Sequence, residues 1–587
     1  MLNNIKIILG DKLTKAFYVT LFLIVIGGFI EMIGIGFIPV FLLLVTNPDQ
    51  LIQFLNKNEI NLFNSIFIKS NIIIYYAAIG LILLFLLKNI YLFFLVLVEN
   101  YFLKKVNQRV ISQIYAWYLS RSLDKYILEN PAYQIQILTK EIDDFRSYLR
   151  HLMVIFKESC LLFFIFILLV YINFRITVFT LFFLGTIGLI FFIYNRRILK
   201  KSGLKSQQYR KIIQKFLQES LSFIRLVRIH NAENIFIDKY NSLYKSKEES
   251  ELIYRLISNL PKLIIESIAI TAFAIFIIIH SFNEGNIADL VPMLAFLGFS
   301  FIRIMPSVNS LTTSFSSAKY FQVSLELLKK NIIQSNLNKK NIVIPNVNLE
   351  ISGRGYQCKE SNLILALSNV SYAHPSSSST IINNLNLNIN KGEFVAIIGK
   401  SGSGKSTLLD LIMGLKKPTS GSINLYPPLL KNNNLISGLG YVSQDTFIFD
   451  ESVKRNIALA QSDQEINEDK VWKALALVKI DEFVRSLPNS INSKFGDRGA
   501  TLSGGQKQRI SLARAIYFNP QLLIIDEGTS ALDTNLENEL MESLQSLDTG
   551  ITIIFVTHRT GIYKYSDRIL ELSEGKLINK TEYKGFL

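Results

Sequence analysis

Between Phe17 and Met305 the chain returns repeatedly to long apolar runs: Phe17–Val45, Ile72–Val98, Leu152–Tyr171, Ile176–Tyr194, Leu263–His280 and Ile287–Met305. Each approaches or exceeds the ~20 residues a helix needs to cross hydrocarbon. Core helices of a soluble protein do not run so long with so few charges, so six membrane helices are predicted. Lys and Arg give the orientation. Lys104, Lys105, Arg109, Arg121, Lys125, Lys140, Arg146 and Arg150 crowd one intervening segment, and Arg196, Arg197, Lys200, Lys201, Lys205, Arg210 and Lys211 follow the fourth run. Only Lys57 and Lys69 follow the first. The positive-inside rule then puts the N-terminus, both basic segments and the C-terminal part in the cytoplasm. The formal charge of +16 on 587 residues therefore points to an anionic membrane face and away from nucleic acid.

Within the basic segments, Leu103–Ser120 and Gln207–Tyr240 carry apolar residues at helical spacing, so the membrane helices are expected to continue into the cytoplasm. Asn130-Pro131 breaks the first extension, and a turn or short cross-helix is predicted to break the second near Leu221–Leu226. On the outer side, Asp49–Ser70 has the pattern of an amphipathic interfacial helix. Ionisable residues fall within or at the edges of the apolar runs: Glu31, Lys88, Glu99, Glu266 and Arg303. Such placements cost a few kcal/mol and mark functional candidates. Glu31 and Lys88 either pair as a structural bridge or serve a substrate. Arg303, in R-I-M-P-S-V-N with Pro306 able to kink its helix, is the preferred substrate-facing charge, because a guanidinium fork donates two bonds to a phosphate. The two cysteines, Cys160 and Cys358, have no metal-ligand spacing and imply no disulfide framework. The first apolar run is too long for a cleavable signal peptide.

The second half of the chain has the composition of a soluble domain, and G-K-S-G-S-G-K-S dominates it. This run, Gly399, Lys400, Ser401, Gly402, Ser403, Gly404, Lys405 and Ser406, continues into Thr407, follows the β-rich Phe394–Ile398 and opens a helix. Strand, glycine loop, Lys-Ser and helix together specify a phosphate-binding loop. Backbone N–H groups cradle a triphosphate, Lys405 reaches its β and γ phosphates, and Ser406 offers an oxygen to Mg²⁺. A second glycine-rich run, Leu502, Ser503, Gly504, Gly505 and Gln506, also opens a helix and makes a second anion site. One nucleotide has one terminal phosphate, so two such sites per chain call for two chains arranged head to tail. L-L-I-I-D-E ends a buried strand in Asp526, suited to Mg²⁺, and Glu527, suited to polarising water for in-line attack.

The stretch from about Ile364 onward resembles the nucleotide-binding domain of the ATP-binding cassette (ABC) superfamily, whose signature is L-S-G-G-Q. The resemblance implies further roles. Gln444, in Y-V-S-Q-D, matches the Q-loop glutamine that touches Mg²⁺ or the attacking water. His558, in I-I-F-V-T-H, matches the switch histidine, and Ser530–Asp533 matches the D-loop, with Asp533 facing the opposite subunit. The family more often has alanine where Gly528 stands, a change expected to matter little. An aromatic ring normally stacks on adenine at V-S-Y-A-H-P, where His374 occupies the usual position and Tyr372 lies two residues earlier. The helix breaks correspond to coupling helices that rest on the nucleotide-binding domains.

The fold expected is therefore a membrane all-α domain of six helices followed by an α/β P-loop nucleotide-binding domain of the ABC type. Its boundaries are 1–323, a linker at 324–362, and 363–587. Lys405, Asp526, Glu527, His558 and Ser503 are all present, which favours a homodimer with two working sites. R-I-M-P-S-V-N and L-T-K-E-I-D-D-F (Leu138–Phe145) resemble the branch of exporters that flip lipid-linked oligosaccharides. That implies an amphipathic, pyrophosphate-bearing lipid cargo at the cytoplasmic (inner) membrane, among membrane lipids. Export of peptides, drugs or simple lipids, or an ATP-gated channel or regulator, are the competing readings.

Overall fold

The computed structural model describes residues 2–46, 71–127, 129–172, 174–282, 287–339, 362–374, 379–426, 430–431, 435–436, 438–459, 461–496, 499–528, 533–545 and 550–580. Within 174–192, 272–282 and 287–303 the description extends to the backbone alone. Asp49–Ser70, Cys358 and Ser530–Leu532 lie outside the described residues, as does the side chain of Arg303.

The chain divides into two compact units: residues 1–119 with 129–340, and residues 120–128 with 341–587. The first unit is helical. Its long helices are α1 (Leu2–Thr46), α2 (Asn71–Leu119), α5 (Ile142–Ile172), α6 (Phe174–Ser222), α8 (Glu233–Phe282) and α9 (Ile287–Lys339). Among the described residues, Asn3–Gly34 and Ile74–Leu119 pass as membrane spans by length and composition, with mean hydropathy of 2.2 and 2.6. Along α2 the outward apolar residues (Leu83, Leu86, Leu87, Ile90, Phe93) have no protein to cover them, as expected of a helix solvated by lipid or a partner. Gly10 interrupts α1 with φ +65°, and a side chain there would collide with the guanidinium of Arg109. Only glycine accepts both the left-handed backbone and that close approach.

The basic extensions are helical, as the spacing predicts: α2 runs on to Leu119 and α6 to Ser222. Short helices interrupt them, α3 (Leu123–Ile127) in the first and α7 (Ile224–Ile229) in the second. Asn130-Pro131 starts a helix more than it ends one. The Asn130 side chain accepts from the Ala132 amide at 2.8 Å and Pro131 sits in the first turn of α4 (Pro131–Gln136), where its missing N–H costs nothing. One π turn, Ile137–Glu141, joins α4 to α5.

One boundary differs from expectation. Residues 324–339, assigned to a linker because they turn polar, continue α9 as helix, with Leu325, Leu328 and Ile332 buried in the core of the first unit. Their polar neighbours are the solvated face of an amphipathic helix, which average composition cannot distinguish from a linker.

The second unit contains a six-stranded sheet in the order β11-β10-β3-β9-β8-β7 and a three-stranded antiparallel sheet, β2-β1-β4. The first comprises β3 (Phe394–Ile398), β7 (Leu439–Val442), β8 (Leu522–Asp526), β9 (Thr552–Val556), β10 (Arg568–Ser573) and β11 (Lys576–Asn579); the second comprises β1 (Leu363–Ala373), β2 (Thr380–Asn390) and β4 (Ser420–Leu425). β8 and β9 are buried at every position, as central parallel strands covered on both faces are. In β2, Leu385, Leu387 and Ile389 point inward and alternate with exposed Asn386, Asn388 and Asn390. Two cores result. One gathers β1, β2 and the helix α10 (Lys405–Ile412); the other gathers the helical region around Ile448–Tyr517, including Leu502.

Candidate nucleotide site

β3, β9, β8 and β7 are parallel neighbours, so their C-terminal ends share one edge of the sheet. Each end carries one predicted element. The glycine loop follows β3, His558 follows β9, Asp526 and Glu527 close β8, and Gln444 follows β7. Residues spread over 160 positions of sequence thus converge because parallel strands deliver their ends to one place.

In the loop, Lys405 curls back over the backbone, donating to the Gly399 carbonyl at 2.7 Å and the Lys400 carbonyl at 3.0 Å. Burial lowers its pKa, while Glu527 and Asp526 pull the other way. Gly404 has φ +101° and begins the turn into α10. A Cβ built on it lies 2.9 Å from Ile381 Cγ2. Gly404→Val is expected to raise the Kd of a fluorescent ATP analogue by about tenfold or more, through combined backbone strain and collision. An unchanged Kd would remove the loop conformation from nucleotide binding.

Ser406 Oγ donates to Asp526 Oδ2 at 3.3 Å. Burial pushes the Asp526 carboxyl up; the Ser406 bond and Lys405 oppose that, and Glu527 and Asp410 reinforce it. One hydroxyl beside one carboxylate fits Mg²⁺, which keeps several waters and takes its remaining oxygens from phosphate.

Glu527 Oε2 accepts from Gln444 Nε2 at 2.8 Å, and His558 Nε2 lies 3.2 Å from Oε1. The Glu527 backbone is left-handed at φ +50° and its amide donates to Val556 O at 3.0 Å. A left-handed non-glycine costs about 1–3 kcal/mol and persists only where the surroundings enforce it. The neighbouring Gly528 is more constrained than expected, because a Cβ there would lie 2.6 Å from Val442 Cγ1. Alanine at this position requires the Val442 side chain to give way.

The Leu502–Gln506 run forms the N-terminus of α14 (Gly504–Tyr517) through a capping box: Gln506 N donates to Ser503 Oγ, and Ser503 N to Gln506 Oε1 at 2.9 Å. Leu502 anchors it in the helical core, whereas Ser503 and Gly504 are exposed. Among the described residues no hydrogen bond joins this run to the Gly399–Thr407 loop. Asp533 caps the helix Thr534–Gln545 through the Leu536 amide at 2.8 Å and is itself exposed.

The two aromatic candidates separate. Tyr372 is 2% exposed and its hydroxyl donates to Asp124 Oδ1 at 2.9 Å, so its ring belongs to the core and has no free face for a base. His374, just past the end of β1, is half-buried. Sequence reasoning also passed over Arg514 and Asn456. Arg514 donates to the Asn456 carbonyl at 2.7 Å and the Phe447 carbonyl at 3.1 Å, tying α14 to the segment after Gln444. Neither residue sits in a motif, and only the fold brings them together.

In the first unit, Glu31 is 6% exposed. Gly34, one turn on, leaves room for Lys88, whose Cδ lies 3.4 Å from a Cβ built there. The Lys88 ammonium rests over the Phe85 ring at 4.3 Å. Of the predicted intramembrane charges, Glu31 on α1 and Lys88 on α2 therefore lie about one turn apart. Arg303 lies on α9, its side chain outside those described.

Comparison with known proteins agrees with this architecture. Residues 17–305 match the family model for the ABC transporter transmembrane region and residues 382–530 that for the ABC transporter, together about three quarters of the chain. The chain is 31% identical over 374 residues to the Nostoc sp. heterocyst differentiation ATP-binding protein HepA, a match covering 63% of this chain and 58% of that one. It is 26% identical over 499 residues to the ATP-dependent lipid A-core flippase of Burkholderia thailandensis, covering 83% and 81%. It is 37% identical over 226 residues to the leukotoxin translocation ATP-binding protein LktB of Mannheimia glucosida, covering 38% and 32%. A bacterial Atm1-family ABC exporter solved with ATP bound has the same fold, with a TM-score of 0.72 at 18% identity over 98% of this chain and 96% of that one. With a helical membrane unit ahead of a nucleotide unit whose loop, acidic pair and histidine meet at one sheet edge, the chain belongs to the ABC transporter family, whose exporters hydrolyse ATP to drive transport.

Proposed function

We propose that two copies of this chain form an exporter with two composite ATP sites, in the cytoplasmic membrane with both ATPase units inside the cell. One observation carries this reading. The exposed Ser503–Gly504 edge and the phosphate loop of one chain belong to separate cores and share no hydrogen bond among the described residues, so each has a free face for the other copy. ATP held between two such faces draws the units together, and loss of the γ-phosphate releases them. Near-complete switching between two membrane-domain states needs about 5.5 kcal/mol of differential ATP affinity. Ser406, Asp526 and Gln444 would hold Mg²⁺, which would supply charge neutralisation at the phosphates; Glu527 would orient and deprotonate water, with His558 beside it.

For the cargo, the reading is a lipid-linked, pyrophosphate-bearing oligosaccharide. A lipid A-core flippase aligned over 83% of the chain and charges placed within apolar helices (Glu31, Lys88 and Arg303) support an amphipathic lipid with an anionic head. The match to a leukotoxin translocator, confined to 38% of the chain, favours a polypeptide cargo as the second reading. ATPase stimulation in proteoliposomes across polyprenyl-pyrophosphate glycans, phospholipids and peptides discriminates them. Arg303→Ala is expected to cut flipping of a polyprenyl-pyrophosphate glycan at least about tenfold, the value of one charge-assisted bond, while leaving basal ATP hydrolysis intact. Unchanged flipping moves the head-group site elsewhere.

A further inference from the structure

The helix Thr534–Gln545 carries a charge where its pattern calls for an apolar residue. Leu540, Met541 and Leu544 lie in the core that gathers the helical region, and Glu537 shares their face at the i, i+3, i+4, i+7 spacing. It is 3% exposed. A carboxylate loses its hydration on burial and is almost never so enclosed unless paired. Arg559 pairs with it, Nη1 donating to Glu537 Oε2 at 3.1 Å, and the guanidinium itself is only half-buried.

Arg559 follows His558 directly in the chain, so whatever holds Arg559 also holds the histidine. The His558 side chain is 50% exposed, which leaves its direction to the backbone more than to packing. That backbone is tied on both sides. Thr557, just past β9, donates its amide to the Ile397 carbonyl of β3 at 3.2 Å, and the Arg559 amide donates to Thr557 Oγ1 at 2.9 Å. The Arg559–Glu537 bond then fixes the far side of the histidine to a helix whose first turn is closed, the Glu537 amide donating to Asp533 O at 3.0 Å. Between these ties, His558 Nε2 comes to lie 3.2 Å from Glu527 Oε1. Apolar side chains of similar volume in place of a buried ion pair are often neutral or stabilising, so stability alone gives no reason for a charge on this stripe.

We propose that Glu537 and Arg559 are positioning residues for ATP hydrolysis, acting through His558 by holding its backbone so that the imidazole meets Glu527. The inference deepens the ATP-site reading and rests on it. A misplacement of about 1 Å in a catalytic arrangement costs about 100-fold in rate. Binding of ATP by the Gly399–Thr407 loop uses neither residue, so the pair bears on turnover and not on affinity.

The test uses the full-length protein in lipid nanodiscs, with single-turnover phosphate release, the Kd of a fluorescent ATP analogue and thermal unfolding as readouts. In Glu537→Leu/Arg559→Met, which exchanges the pair for apolar side chains, the rate of hydrolysis is expected to fall at least about tenfold. The Kd stays at the wild-type value and unfolding comes no earlier, as an apolar exchange of a buried pair allows. Arg559→Lys, which keeps the charge, falls between the two in rate. Added to His558→Ala, the same exchange lowers the residual rate no further, because residues that act through one group are not additive. The inference is overturned by a wild-type rate in the apolar exchange, by a matching loss of ATP affinity, or by a second fall of similar size in the His558→Ala background. Should the double variant not fold, Glu537→Gln, which keeps the volume and an acceptor oxygen, carries the same comparison of rate against affinity. A wild-type rate in His558→Ala alone would instead overturn the ATP-site reading at that residue.

Discussion

Glu527→Gln is expected to bind ATP with near wild-type affinity and to hydrolyse it at least about 100-fold more slowly, the usual contribution of a positioned general base. The substitution keeps the volume of the side chain and the oxygen that accepts from Gln444 Nε2, but removes the charge and the basicity. It also replaces the other carboxylate oxygen with an NH₂ group, which faces the His558 nitrogen at 3.2 Å. Steady-state phosphate release and equilibrium binding measure the two effects separately. With ATP retained, the two ATPase units are expected to stay together, and cross-linking between copies reads that directly. Phosphate release at the normal rate removes Glu527 from its assigned role. ATP binding lost together with hydrolysis would mean that the left-handed turn at Glu527, and not its charge, supports the site.

Glu141→Ala is the substitution in the membrane unit expected to damage the protein most. Glu141 is fully buried on the π turn and collects groups from three other elements. Gln136 donates to it at 2.9 Å from α4, Gln207 at 2.6 Å from α6, and Ser324 at 2.7 Å from α9. The Arg210 guanidinium stands between Glu141, at 3.5 Å, and Asp144, at 2.8 Å. Burial raises the Asp144 carboxyl even against the attraction of Arg210 and Lys140. Removing Glu141 leaves two amides and a hydroxyl without their acceptor and a guanidinium with half its compensation. The expected loss is about 3 kcal/mol. An apparent melting temperature lowered by several degrees in the full-length protein checks it, with Glu141→Gln, which keeps the acceptor oxygen, falling between wild type and alanine. Equal melting of all three proteins would show that the network contributes nothing net.

These two residues were not equally visible in the amino-acid sequence. Glu527 stands out because a run of Leu and Ile ending in Asp-Glu, after a phosphate loop, specifies its chemistry through local spacing. Glu141 lies in L-T-K-E-I-D-D-F, where it is one of several charges on a helical extension, and nothing local distinguishes it from its exposed neighbour Asp143. The same contrast divides Tyr372 from His374. Both are rings near the expected adenine position, but only the strand pairing of β1 shows that Tyr372 faces the core and Asp124.

What the sequence determined by itself was governed by short range: the apolar runs long enough for hydrocarbon, the helical extensions, the loop at Gly399–Ser406, the helix opening at Leu502–Gln506 and the acidic end of β8. Helix and strand periodicity, glycine geometry and capping act within a few residues, so they can be read along the chain. The tertiary structure decided which of those pieces meet. It placed four strand ends side by side, carried residues 324–339 into the helical core, docked Asp124 on Tyr372 and closed Arg210 between two buried carboxylates. Desolvation is the reason these contacts matter, since a carboxylate or guanidinium is indifferent to its partners in water and dependent on them once buried.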